Sequence, residues 1–331
     1  MQTRKLGNTN VELSVIGFGA WAIGGGNWQF GWGAQDDHDS IAAIQKALDL
    51  GINWIDTAAA YGLGRSERVV GEAIKGRRDS VFIATKCSLV WDDPKQGSVT
   101  NRLKAWSVRK EAEESLKRLG VEVIDLYQIH WPNPDADIEE GWGEIAKLVK
   151  EGKIRYAGVS NFSVSQMKRC QAIHPIASLQ PPYSMLERDV ENELLDFCAR
   201  NGIGVVAYSP MASGLLTGKF NRQRVASLPD DDWRRERGRH FQEPEFGYNL
   251  ALVEQLTTLA RRHQRSVGEL AVAWVLRRSE VTSAIVGARN PRQIEEIAPA
   301  SEWQLTQAEL DEIEKWLKER QQALAKARGG R

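Results

Sequence analysis

What most constrains this chain is a rhythm: a short apolar run followed by a longer amphipathic one, repeated eight times. "LSVIGFG" (13–19), "INWIDT", "SVFIATK", "VIDLYQIH", "IRYAGVSN", "IASLQ", "IGVVAYSP" and "VTSAIVG" read as strands, being short and apolar. The intervening segments carry helical periodicity. "DDHDSIAAIQKALDLG" has an acidic start and a glycine stop at Gly51, "WSVRKEAEESLKRLG" stops at Gly120, and "VENELLDFCARNG" reads as one helix. Alternation of this kind implies parallel pairing with right-handed crossovers. Eight such units favour an α/β fold of the (β/α)8 TIM-barrel type over an open doubly wound sheet. The glycines of "GFGAWAIGGG" fit the open sheet only partly, because no helix begins at them. Residues 1–331 are expected to form a single domain with an N-terminal β-hairpin and C-terminal helices. Segment 221–247, dense in mixed charge and without periodicity, reads as a flexible solvated loop, or as a lid whose arginines approach a phosphate.

The strands end on polar residues. The second ends at Asp56, the third at Lys86, the fourth at His130 and the fifth at Ser160 and Asn161. The sixth ends at Gln180 and the seventh at Tyr208 and Ser209. In a barrel these ends surround one mouth, where barrel active sites are built. Singly each has a bland reading, such as a helix cap, a snorkelling lysine or a satisfied interior histidine. Jointly they form a constellation, because a buried lysine and aspartate must find partners or neutralise. "IDTAAAYGLGRSE" (55–67) contains Gly62 and Gly64, which suggest a phosphate loop. They are better read as a sharp turn that brings Tyr61 back over the mouth before a helix opened by Ser66.

Lys and Arg number 44, as do Asp and Glu, so no global basic field attracts nucleic acid or an anionic membrane. Three cysteines, Cys87, Cys170 and Cys198, form no CxxC and suit a reducing compartment. The N-terminus lacks the apolar core of a secretory signal, no apolar run is long enough to span a membrane, and no metal cluster is visible. The expectation is a cytoplasmic protein, a monomer or weak oligomer.

"IDTAAAYGLGRSE", "IATK", "DLYQIHWP", "GVSNF", "LQPPYS" and "AYSPMASGLLTGK" occur in this order. Together they resemble the aldo-keto reductase family, from about residue 4 to residue 300, and its bacterial branch of general-stress and inositol-related reductases in particular. The resemblance implies NADPH-dependent reduction of aldehydes and ketones on a (β/α)8 barrel. It assigns a catalytic tetrad to Asp56, Tyr61, Lys86 and His130. The chemistry is intelligible in its own terms. Hydride delivery to a carbonyl carbon leaves an alkoxide that needs a proton. Tyr61 holds one, a Lys86 ammonium would lower its pKa, Asp56 would hold Lys86, and a neutral His130 would orient the carbonyl oxygen.

The resemblance also implies a cofactor cradle. Gly19, Ala20, Trp21 and Asp56 would face the cofactor. Ser160, Asn161 and Gln180 would hold the nicotinamide carboxamide, and Tyr208 would stack on its ring. Ser209, Met211, Gly214, Leu215, Gly218 and Lys219 would wrap the pyrophosphate. Gly287, Arg289, Gln293 and Glu296 would surround the adenosine and its 2′-phosphate. Gly287-Ala288 and Gln293 stand where the best-known branch has Lys-Ser and Arg, which weakens but does not remove a preference for NADPH over NADH. Ile297 replaces a common asparagine. Of the 12 tryptophans, Trp21, Trp91 and Trp131 are expected in the substrate pocket, with Trp28 and Trp32 in the glycine-rich insert. Trp54, Trp142, Trp274 and Trp316 read as packing residues. Two other readings remain: a Schiff-base barrel lyase using Lys86, and a catalytically slow NADP(H)-binding regulatory subunit.

Overall fold

The computed structural model describes residues 1–329. The chain opens with an antiparallel hairpin, β1 (Thr3–Lys5) and β2 (Glu12–Ser14), followed by the first barrel strand β3 (Ile16–Gly19) and helix α1 (Asp37–Asp49). Next come β4 (Trp54–Asp56), α2 (Arg65–Ala73) and β5 (Phe82–Cys87). A small ribbon, β6 (Leu89–Val90) with β7 (Thr100–Asn101), precedes α3 (Ala105–Leu119). The rhythm resumes with β8 (Ile124–Ile129), α4 (Ile138–Lys150), β9 (Ile154–Ser160), α5 (Val164–Gln171), β10 (Ser178–Gln180), α6 (Leu194–Asn201) and β11 (Gly204–Ala207). After β11 come α7 (Arg222–Ala226), α8 (Trp233–Glu236), α9 (Glu245–Arg262) and α10 (Val267–Leu276), then β12 (Val281–Gly287), α11 (Pro291–Ile297) and α12 (Gln307–Gly329).

Strands β3, β4, β5, β8, β9, β10, β11 and β12 pair in parallel and close into a barrel, as the eightfold rhythm predicts. Registers such as Gly19 opposite Asp56, Lys86 opposite Gln128 and Gln180 opposite Ser160 bring the polar strand ends to one rim. The outer strand faces and inner helix faces form one continuous apolar layer, in which Phe18, Ile83 and Ile129 join Ile44, Val108 and Trp142. A second cluster fills the barrel's other end: Trp54, Ala84, Leu126 and Val206 from the strands, and Leu6 and Leu13 from the hairpin region. Arg4 fastens the hairpin by donating to the carbonyls of Arg278, Val281 and Leu276. The mouth is therefore the open end.

Four local expectations are corrected. "LSVIGFG" is not one strand: Ser14 ends β2 and Ile16 begins β3, because the chain passes from the hairpin into the barrel between them. "VENELLDFCARNG" is a short 3-10 turn, Asp189–Glu191, followed by α6. Ser66 does not cap α2. Gly64 occupies the N-cap with φ +87°, and the Ser66 hydroxyl instead bonds Thr57 Oγ1 at 2.8 Å and the Ala20 carbonyl at 2.8 Å, tying the rim together. Segment 221–247 is not an unstructured solvated loop; it contains α7, α8 and the start of α9, and its buried Asp232 and Arg234 pack against the mouth. Among the described residues no helix is long and apolar enough to cross a membrane, and no cluster of His, Cys, Asp and Glu could hold a metal ion.

Trp54 lies across the barrel with its indole N–H on the Ser14 carbonyl (3.2 Å) and Ser283 Oγ (3.1 Å). Gly17 faces that indole so closely that a Cβ would collide with it. Gly17→Ala is expected to destabilise the fold by about 1–3 kcal/mol through overpacking, read as a lower urea midpoint. An unchanged midpoint would refute this account of the barrel floor.

Candidate active site

Four polar side chains meet at the mouth. Asp56 ends β4 and Lys86 lies near the end of β5, both almost wholly buried. The Lys86 ammonium donates to Asp56 Oδ1 (2.8 Å) and Oδ2 (2.7 Å), to the Thr57 carbonyl (2.9 Å) and to Tyr61 Oη (3.3 Å). Tyr61 reaches this position because Gly62, with φ +59°, turns the chain immediately after it; a Cβ at Gly62 would strike the Gly24 backbone. Since Tyr61 Oη accepts from Lys86, its own proton is left for the cavity side. His130 follows β8, and its ring stands edge-on to Tyr61 at 5.6 Å between centroids.

The electrostatics differ from the expectation in one respect. Burial, then the charge of Asp56, pushes the Tyr61 pKa well above that of a free phenol, so Lys86 does not lower it on balance. The reason is that water is excluded from the phenol and the carboxylate lies behind the ammonium. Tyr61 therefore stays protonated through neutral pH. Burial also lowers the Lys86 pKa, opposed by Asp56. His130 is held well below the usual imidazole range, by burial first and by the Lys86 charge second, and is neutral near pH 7.

The cavity at the mouth has a volume of about 560 Å³, within the range of roughly 300–1,000 Å³ common to small-molecule sites. On one side lie Ser160, Asn161 and Gln180, already hydrogen-bonded among themselves and to their neighbours. Gln180 Nε2 donates to Asp56 Oδ1 (2.7 Å), and Ser160 Oγ donates to the Gln180 carbonyl (2.8 Å). Asn161, with φ +64°, donates to the His130 carbonyl and accepts from Tyr208 Oη (2.9 Å). This network fixes the Tyr208 ring and leaves the Gln180 side-chain carbonyl for an incoming amide donor. Farther along, Ser209, Met211, Gly214 and Lys219 line the wall, and Gly214 sits at φ +92°. Gly287, Arg289, Gln293 and Glu296 line the far end, where Lys219 pairs with Glu296 at 2.7 Å. Gly19 and Trp21 also line the cavity. Ala20 and Leu215 do not, being buried behind it, and neither does Gly218, which is exposed.

Of the three tryptophans expected in the substrate pocket, Trp21 and Trp131 line the cavity. Trp91 does not; it lies just beyond β6, with the Arg118 guanidinium 5.7 Å from its ring. Sequence reasoning offered segment 221–247 as a lid but missed the tryptophan by which it roofs the cavity. Trp233 of α8 stacks on Trp21 (5.8 Å between centroids, 16° between planes), and Trp21 lies over Tyr61 (6.2 Å, 22°). Arg234 pairs with Asp232 and lies 4.1 Å from the Trp32 ring centre. The backbone N–H of Trp233 bonds the Gly31 carbonyl, so α8 is joined to the glycine-rich insert. The signal available was a lone Trp flanked by an acid and a base in "DDDWRR".

Residues 15–318 match the model of the "Aldo/keto reductase family". The chain is 42% identical over 316 residues to the aldo-keto reductase YhdN of Bacillus subtilis, covering 95% of this chain and 92% of that protein. It is 36% identical over 325 residues to the NADH-specific methylglyoxal reductase of Escherichia coli, covering 93% and 96%. The structure of the glycerol dehydrogenase AKR11B4 from Gluconobacter oxydans superposes with a TM-score of 0.87 at 39% identity, covering 96% of each chain. The chain belongs to the aldo/keto reductase family, oxidoreductases of small carbonyl compounds that use a nicotinamide cofactor.

A half-buried neutral histidine has a definite effect on stability. The folded pKa of His130 is depressed, whereas the unfolded chain protonates near pH 6.5. The unfolded state therefore binds the extra proton first, and stability falls as pH drops below that value, by up to about 1.4 kcal/mol per pH unit. His130→Gln is expected to flatten the loss between pH 7.5 and 5.5 measured by urea denaturation. An equal slope in both proteins would refute a neutral His130.

Proposed function

We propose that this aldo/keto reductase reduces small aldehydes and ketones to alcohols with NADPH, with Tyr61 as the proton donor. The observation that carries the reading is the placement of Tyr61 Oη between the Lys86 ammonium behind it and the cavity in front, with His130 alongside. The bound nicotinamide supplies the hydride. Tyr61 gives its proton to the developing alkoxide, and the Lys86 ammonium then faces the phenolate it leaves. Asp56, gripping Lys86 with both oxygens, keeps that ammonium charged and aimed. Neutral His130 offers a ring N–H to the carbonyl oxygen, orienting it before charge develops. Trp21, Trp28 and Trp131 wall the space around the reacting carbon.

The residues fit the cofactor along its length. Ser160, Asn161 and Gln180 form the polar edge for the carboxamide, and Tyr208 forms the platform for the ring. The backbone from Ser209 to Lys219, opened by Gly214, suits the pyrophosphate. Arg289, with Gln293 and Glu296 beside it, suits the adenosine. Arg289 supports NADPH over NADH even though one relative is named as NADH-specific. The cavity must hold both cofactor and substrate, which favours small carbonyl compounds, the size of substrate named for the methylglyoxal and glycerol enzymes among its relatives. A Schiff-base lyase needs a free, neutral lysine amine, whereas Lys86 is enclosed by Asp56, the Thr57 carbonyl and Tyr61.

Tyr61→Phe is expected to lower kcat with a small aldehyde by about 10²–10⁴-fold while leaving NADPH affinity, measured by fluorescence titration, unchanged. Lys86→Met should behave in the same way. Wild-type turnover in Tyr61→Phe would remove Tyr61 as the donor. A borohydride-trapped adduct on Lys86 would replace the reductase reading with the lyase.

A further inference from the structure

Arg289, half-buried at the far end of the cavity, makes no ion pair among the described residues. Its guanidinium donates to neutral partners only: Nε to Gln35 Oε1 (2.5 Å), Nη1 to the Trp32 carbonyl (3.3 Å) and Nη2 to the Ala34 carbonyl. A guanidinium has five N–H groups, so these three contacts leave two. Burial and the nearby charge of Arg234 disfavour its charged form. The site therefore holds an oriented, unneutralised cation facing a cavity, the arrangement an anionic ligand recognises.

Gln35 does most of the orienting. While its side-chain oxygen accepts from Arg289 Nε, its Nε2 donates to the Arg289 backbone carbonyl (2.8 Å) and to Ser40 Oγ (2.9 Å). One amide thus brackets both the backbone and the side chain of Arg289. Gln35 is anchored in turn: its backbone carbonyl accepts from Arg65 Nη2 (2.5 Å), and Arg65 pairs with Asp37. From the opposite side, the Arg289 backbone N–H donates to Gln293 Oε1 (2.8 Å) in the first turn of α11.

We infer that Gln35 is a positioning residue that aims Arg289 at the 2′-phosphate of the cofactor, and that its neutrality sets the preference for NADPH over NADH. This rests on the reading of Arg289 as the 2′-phosphate residue. A carboxylate of the same size at position 35 still accepts from Arg289 Nε but loses the donations to the Arg289 carbonyl and Ser40 Oγ. That carboxylate also neutralises the cation and repels the phosphate, so the effect of Gln35→Glu must fall on the 2′-phosphate probe alone, whereas a purely structural disturbance weakens both probes.

The test uses the whole protein and isothermal titration calorimetry with two probes, adenosine 2′,5′-bisphosphate and adenosine 5′-diphosphate. Wild type is expected to prefer the first, and Arg289→Met to lose the preference. If wild type binds both equally and Arg289→Met changes nothing, the reading of Arg289 fails and takes the inference with it. If that preference holds, Gln35→Glu and Gln35→Met are each expected to weaken the 2′,5′-bisphosphate by about tenfold or more, leaving the 5′-diphosphate within about twofold. Wild-type selectivity in Gln35→Glu, or equal weakening of both probes, overturns the role of Gln35 while leaving that of Arg289 standing. Thermal melting checks folding. Should Gln35→Met fail to fold, Gln35→Glu, which keeps the acceptor, decides.

Discussion

An ammonium with almost no surface in water has to be surrounded by acceptors, and the candidate site is organised around satisfying one. Lys86 is buried on a barrel strand, where charge is costly unless paired. Asp56 on the neighbouring strand answers it with both oxygens, and the Thr57 carbonyl and Tyr61 Oη complete the set. Gln180 from across the barrel then bonds Asp56, and the network runs on through Ser160 and Asn161 to Tyr208. Five strands are tied into the rim by satisfying one buried charge. Only a closed barrel brings their ends near enough.

The parts legible in the sequence were those written in local pattern. Each barrel strand is a short apolar run ending on a polar residue, so periodicity located the strand and its last residue located the rim. Asp56, Lys86, His130 and Gln180 could be nominated on that ground. The illegible parts depend on contacts distant in sequence. The flanking acid and base single out Trp233 but do not say that it stacks on Trp21, and nothing near Gln35 indicates that it meets Arg289. Trp91 misled because position after a strand says which end of the barrel a residue occupies, not which way its side chain turns. Ser66 misled because Gly64 already supplies the chain reversal, which frees the hydroxyl to tie Thr57 to Ala20. The Tyr61 pKa shows a further limit: the neighbouring Lys86 suggested a lowered value, but burial reverses the sign.

The glycine-rich insert between β3 and α1 has a larger part than a loop's composition suggests. It presents Trp28 and Trp32 to the cavity, meets α8 through the Gly31 carbonyl and surrounds the Arg289 guanidinium with its own carbonyls. Recognition at the two ends of the cavity is thereby built on one stretch of backbone. Any change that moves the insert alters the aromatic wall and the cationic end together.

The sealed end of the barrel has a kinetic meaning. Behind Tyr61 lie Lys86 and Asp56, then the apolar layer of Trp54, Ala84 and Leu126, with Leu6 and Leu13 at the bottom. In the proposed reaction, a phenolate left by one turnover has no apolar-side source of replacement. Its proton has to return from bulk water through the mouth, the passage by which the alcohol departs. Resupply of the acid and clearance of the site thus share one doorway.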